Sequence, residues 1–176
     1  MQVDERFELL GIYLNDHLMG AFGGTELARR IAAEHRDGEL RRLAADIAED
    51  RDDLLRLMRE LGVPVRRYRQ WLGVAGERLG RVKLNGRLFR RSPLSDLLEL
   101  EAMRAGVEGK TALWRALRPL AADGGPLDAA ELDRLAGRAR AQAEALEVHH
   151  ASVSAGLFPP GAVRAVRAGH LGSVRH

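Results

Sequence analysis

Cysteine is absent from this 176-residue chain, which removes disulfides, thiolate metal ligands and cysteine nucleophiles from consideration. Aromatic residues make up only 5%, so the interior must be built from aliphatic side chains. No β-branched run alternates with period two over a useful length, which argues against a sheet. No apolar run approaches the ~20 residues that span a bilayer. The first eight residues are acidic and polar, unlike a secretory leader, and the expectation is a cytoplasmic protein.

What remains is 45% hydrophobic and 30% charged, dominated by Ala, Leu, Arg and Glu, residues that lose little rotamer freedom in a helix. The length suits one domain with a continuous core. A first apolar stripe over residues 4–36 reads Phe7, Leu10, Leu14, His17, Ala21, Gly24, Ala28, Ile31, in steps of three and four that mark one helical face. Gly23-Gly24 interrupts it, and close packing against a neighbouring helix would explain the pair. Asp37-Gly38 reads as a tight stop. A second stripe over 39–61 reads Leu40, Ala44, Ile47, Arg51, Leu54, Met58, Leu61, and ends at Gly62 before Pro64. A third helix is predicted from Ser92-Pro93 to Leu117, with an apolar stripe of Leu94, Leu98, Ala105, Ala112 and Ala116. A fourth is predicted from Asp128 to Ala155, stopped by Gly156 and Pro159-Pro160.

Residues 62–93 are too long for a hairpin loop. Within them Trp71, Val74, Ala75, Leu79 and Val82 recur at helical spacing and predict a short fifth helix over 67–83, about 24 Å long at ~1.5 Å per residue. That length returns the chain from the end of helix two to the start of helix three, so the second and third helices should run parallel. The expected architecture is all-α: an antiparallel four-helix bundle with a long crossover, one domain over 1–157, followed by a basic, loosely held tail over 158–176.

Three segments carry a family resemblance: Tyr13-Leu14-Asn15-Asp16-His17, the stretch Glu99-Leu100-Glu101-Ala102-Met103-Arg104-Ala105-Gly106-Val107-Glu108-Gly109-Lys110, and Glu147-Val148-His149-His150. With four long helices and a mid-chain crossover, they resemble the ferritin-like superfamily, in an uncharacterised actinobacterial branch, over roughly residues 5–157. The resemblance implies a carboxylate and histidine centre between the helices, and redox chemistry with dioxygen if metal binds there.

Ionisable residues within apolar stripes are informative, because burying a charge is costly unless it is paired or metal-bound. Glu101 and Glu108 lie seven apart on the predicted third helix, where Arg104 between them offers a salt-bridged ladder as the plain structural explanation. Glu147 and His150 make a Glu-x-x-His pair, the spacing that di-iron bundles place on two helices. Counting from the turns sets Asp50, Glu101, Glu147 and His150 in one layer, as candidate ligands for at most a single divalent ion (iron, manganese or zinc). Glu108 approaches His17 in a second polar layer. A complete di-iron centre is not expected: helix two offers Glu49-Asp50-Arg51-Asp52 without a histidine, and helix one lacks an inward carboxylate at the shared level.

The charge is unevenly spread. Residues 62–93 carry a net +8 and the remainder −5. Arg66, Arg67, Arg69, Arg78, Arg81 and Lys83 are candidate anion contacts, interleaved with Tyr68 and Trp71. This crossover either docks on the acidic bundle or contacts an anionic lipid surface or nucleic acid. Two functions therefore compete: a ferritin-like protein with an incomplete centre binding a single metal or small ligand, and a metal-free interaction module using the crossover. Association into a homo-oligomer is compatible with both.

Overall fold

The computed structural model describes residues 3–35, 37–66, 93–121 and 125–160. Among them the chain is all-helical and contains no strand: α1 (Val3–His35), α2 (Gly38–Glu60), α3 (Pro93–Leu117), which continues into a 3-10 turn (Arg118–Ala121), and α4 (Ala129–Leu157). The predicted fifth helix at 67–83, the Ser92 cap and the tail from residue 161 lie outside the described residues.

Local chemistry sets the helix ends. Asp37 does not stop α1 so much as start α2: its backbone is extended and its carboxylate accepts from the Glu39 N–H at 2.7 Å. Asp128 does the same for α4 through the Ala130 N–H at 2.9 Å. Such caps satisfy otherwise orphaned donors and contribute ~1 kcal/mol each. At the end of α2, Gly62 turns left-handed with φ 68°. Its N–H reaches the Arg59 carbonyl, and the Val63 N–H reaches the Met58 carbonyl at 2.8 Å. These two bonds close a Schellman motif.

α1 packs against α2 and α3, and α3 packs against α4. Ion pairs give the directions. Between α3 and α4 they run Glu101–His150, Arg104–Glu147, Arg118–Asp133, one number rising as the other falls, so these helices are antiparallel. Arg30–Glu99 and His35–Asp96 set α1 antiparallel to α3. α2 is joined to α4 by Glu39–His149 and Glu131–Arg56, again antiparallel. α2 and α3 therefore run parallel. Leu14, Leu18, Leu54, Leu57, Met58, Leu100, Trp114, Leu132, Leu135 and Leu146 lie at the heart of a core drawn from all four helices.

α3 departs from its predicted orientation. Leu94 and Leu98 are 45% and 36% exposed, and Ala105, Ala112 and Ala116 also face outward. The buried side holds Leu97, Leu100, Met103, Val107, Trp114 and Leu117. Both sides of this helix are apolar at helical spacing, and burying Trp, Met, Val and several Leu removes more area from water than burying two leucines and three alanines. Two further expectations fail: Phe7 is 47% exposed, and a side chain at Gly23 or Gly24 would meet nothing within 4 Å, so close packing is not why glycine stands there. Among the described residues no helix is long and apolar enough to cross a membrane.

Candidate functional site

Among the described residues the most deeply buried charge is Asp50, 2% exposed. It stands three residues after Ile47 and four before Leu54, both core residues, so the helical repeat of α2 turns it inward. Three donors meet its carboxylate. Gln142 Nε2 from α4 donates to Oδ2 at 2.9 Å, Arg138 Nε from α4 donates to Oδ1 at 2.7 Å, and Lys110 Nζ from α3 donates to Oδ2. Lys110 also donates to Gln142 Oε1, while Arg138 reaches Asp53 and, at 2.9 Å, Glu49. One carboxylate thus joins three helices, and each charge in the cluster has an opposite charge in contact. Burial pushes the Lys110 ammonium below its ordinary range, against the pull of Asp50. For Arg138 burial works the same way, but Asp50, Asp53 and Glu49 overcome it and hold the guanidinium above its ordinary value.

The four predicted metal ligands do not share a layer. Glu101 and His150 meet, with His150 Nε2 3.1 Å from Glu101 Oε1, at the half-exposed seam of α3 and α4. Glu147 is turned to Arg104 instead, so the Glu101–Arg104–Glu108 ladder within α3 is replaced by a bond between helices. Asp50 is bonded to Lys110, nine residues beyond Glu101, which is roughly 13 Å along the axis. The sequence count assumed that α2 and α3 begin level; the ion pairs instead set α3 residues about sixty numbers above their α2 neighbours. His17 and Glu108 do not meet either, because Glu108 faces out of α3. His17 packs edge-on against Tyr13 with ring centroids 4.6 Å apart, and burial lowers its pKa against the opposing effect of Asp16. Glu108 is exposed on the outer side of α3. It lines a groove of about 360 Å³ along the α3–α4 seam, with Arg104, Arg140, Ala143, Glu144 and Glu147.

These residues do not suit the metal that the family resemblance implies. A buried divalent site needs several anionic or imidazole donors converging with free lone pairs. Asp50 has its lone pairs taken by an ammonium, a guanidinium and an amide, and the second carboxylate nearby, Asp53, is bonded to Arg138 and Arg56. Glu101 and His150 make a pair without a third donor. Among the described residues no group of three or more His, Asp and Glu side chains gathers as a metal site.

Lys110, Gln142 and Arg138 were missed in the sequence, yet the first two left a signal. Gln142 stands three after Ala139 and four before Leu146, within the buried stripe of α4. Lys110 stands three after Val107 and four before Trp114 on the buried side of α3. Arg51, expected inward, turns to Asp52 at 2.9 Å and lies 5.5 Å over the Phe22 ring. Of the candidate anion contacts only Arg66 is described. Its N–H donates to Asn15 Oδ1 at 2.8 Å, and Asn15 Nδ2 donates to the Pro64 carbonyl at 3.1 Å, tying the start of the crossover to α1. Arg67, Arg69, Arg78, Arg81 and Lys83 lie outside the described residues.

Comparison with known proteins finds no match: no family model, no curated protein and no solved structure is similar enough to name as a relative.

Proposed function

We propose that this chain is a four-helix bundle of ferritin-like topology that works as a metal-free interaction module, contacting an anionic partner through its basic crossover. The observation that carries the reading is the saturation of Asp50 by Lys110, Arg138 and Gln142. The protein's own cations stand where a helical-bundle enzyme would need open ligand positions, so the interior serves to hold helices together and the chemistry moves to the surface. Charge distribution supports the second half of the proposal. Residues 62–93 carry a net +8, and the rest of the chain carries −5. A cationic segment beside an acidic body binds polyanions by releasing their counterions, and such binding weakens steeply with salt.

The test has two parts. Retention on heparin and on vesicles containing anionic lipid should be strong at low salt, fall sharply as salt rises, and be lost on changing Arg66, Arg67 and Arg69 together to Gln. The competing reading is a single metal ion on Glu101 and His150, motivated by their 3.1 Å contact. It calls for one ion per chain that disappears in His150→Ala. A salt-insensitive or absent interaction with both polyanions would remove the module reading.

A further inference from the structure

We propose that the α3–α4 face binds a second copy of this chain, in an antiparallel, two-fold arrangement centred near Gln142 of α4. This goes beyond the anionic partner proposed above and uses a different surface. The outer side of α4 carries Arg134 and Arg140 in its first half, where Asp133 is already neutralised by Arg118, and Glu144 and Glu147 in its second half, all exposed. A helix with basic residues in one half and acidic residues in the other is complementary to an antiparallel copy of itself. With a two-fold axis at residue 142, Arg140 of each copy lies opposite the partner's Glu144, and the contact is made twice. A two-fold interface is self-complementary in this way by construction.

The groups involved are available for it. Among the described residues Arg140, Glu144 and Glu108 have no ion-pair partner, although all three line the same groove, whereas Arg104 and Glu147 in that groove are bonded to each other. Glu108 on the α3 rim falls near the level of the partner's Arg140 in this arrangement, adding a second acid to each arginine. Steric access is equally good. Gly137 and Ala141 on α4, with Ala105 and Ala112 on α3, present little bulk between the charged rows, and Val148 offers an apolar contact at 66% exposure. Symmetric about residue 142, the shared face runs over residues 129–155 of α4, roughly 39 Å at ~1.5 Å per residue, and two helices make it about 20 Å wide. That is ~780 Å² per copy, close to the ~800 Å² per partner of a standard stable interface.

Charge reversal tests the pairing directly. Arg140→Glu and Glu144→Arg each place like charges opposite one another twice in the dimer, while Arg140→Glu with Glu144→Arg restores attraction. Sedimentation velocity over a concentration series should show a salt-weakened dimer for the wild type. Each single variant should dissociate with a Kd raised by about a hundredfold, and the double variant should recover at least ~tenfold of that loss. Both positions are exposed, so circular dichroism and melting temperature should stay constant across the set. A monomeric wild type at every concentration, or a dimer indifferent to the single reversals, would overturn the proposal. Failure of the double variant to recover would do so equally, because a fold defect is excluded by the dichroism. None of these outcomes depends on heparin or vesicle binding.

Discussion

Replacing Asp50 by alanine should be among the most destabilising single changes available to this protein. The side chain is 2% exposed and accepts from Lys110, Arg138 and Gln142. Its removal leaves an ammonium and a guanidinium beside one another in a poorly solvated space, with only Asp53 and Glu49 to offset Arg138, and for Lys110 only the contact with Gln142 Oε1 and the more distant charge of Asp46. Breaking a buried pair in this way costs ~3–5 kcal/mol, a large share of the ~5–15 kcal/mol that stabilises an ordinary domain. With a urea dependence of ~1–3 kcal/mol/M, the unfolding midpoint should fall by roughly 2 M. Lys110→Met should cost less, about 1–2 kcal/mol, because Asp50 keeps Arg138 and Gln142 as donors. The asymmetry is the critical point: the pair of variants should differ, and Asp50→Ala combined with Lys110→Met should be milder than the sum of the two. Urea melts in which Asp50→Ala shifts stability by under ~1 kcal/mol would refute a buried, fully engaged carboxylate.

Other outcomes follow from the same structure. Burial lowers the pKa of His17, so its contribution to stability is complete above about pH 6.5 and lost as pH falls through the lowered value; a melting-temperature profile from pH 7 to 5 should be flatter in His17→Gln. Lys110 is likewise lowered by burial, so the folded state gains stability from this group as pH climbs from the lowered value towards ~10.5. Lys83 is the only other lysine in the chain, and wild type minus Lys110→Met should show that rise in stability between those limits. Gly62→Ala forces a Cβ into a left-handed conformation at φ 68° and should cost ~1 kcal/mol, read from a thermal melt. His150→Ala should change stability by no more than ~1 kcal/mol, because Glu101 is half-exposed and water screens the pair; a loss several times larger would mean a tightly closed cluster.

The helices were legible in the sequence because their signals are local. Asp37, Asp128 and Gly62 mark ends by chemistry confined to one turn, and the boundaries they imply agree with the structure to within two or three residues. The stripe of α2 was largely readable, since that helix has one apolar side, although Asp50 and not Arg51 is the charged residue that turns inward. α3 was not: leucines and alanines on one side compete with leucine, methionine, valine and tryptophan on the other, and periodicity alone cannot rank two apolar faces. That single rotation carried Glu101 and Glu108 from the expected interior to the surface. The interior centre was hidden for a different reason. Asp50, Lys110 and Gln142 each stand at core spacing in their own helices but become a cluster only through the axial offset of α3 against α2, which the length of a crossover does not determine. Glu101 and His150 did come together, because a short turn fixes the register of α3 and α4 more closely.

The central claim is that protein cations, rather than a metal, complete the interior and that the surface does the work. Elemental analysis of the full chain, purified without chelators from cells supplied with iron, manganese and zinc, tests it most directly. The account predicts each metal far below one equivalent per chain, with no difference between wild type, His150→Ala and Glu101→Gln. One equivalent of a single metal in the wild type, lost in both variants, would contradict it.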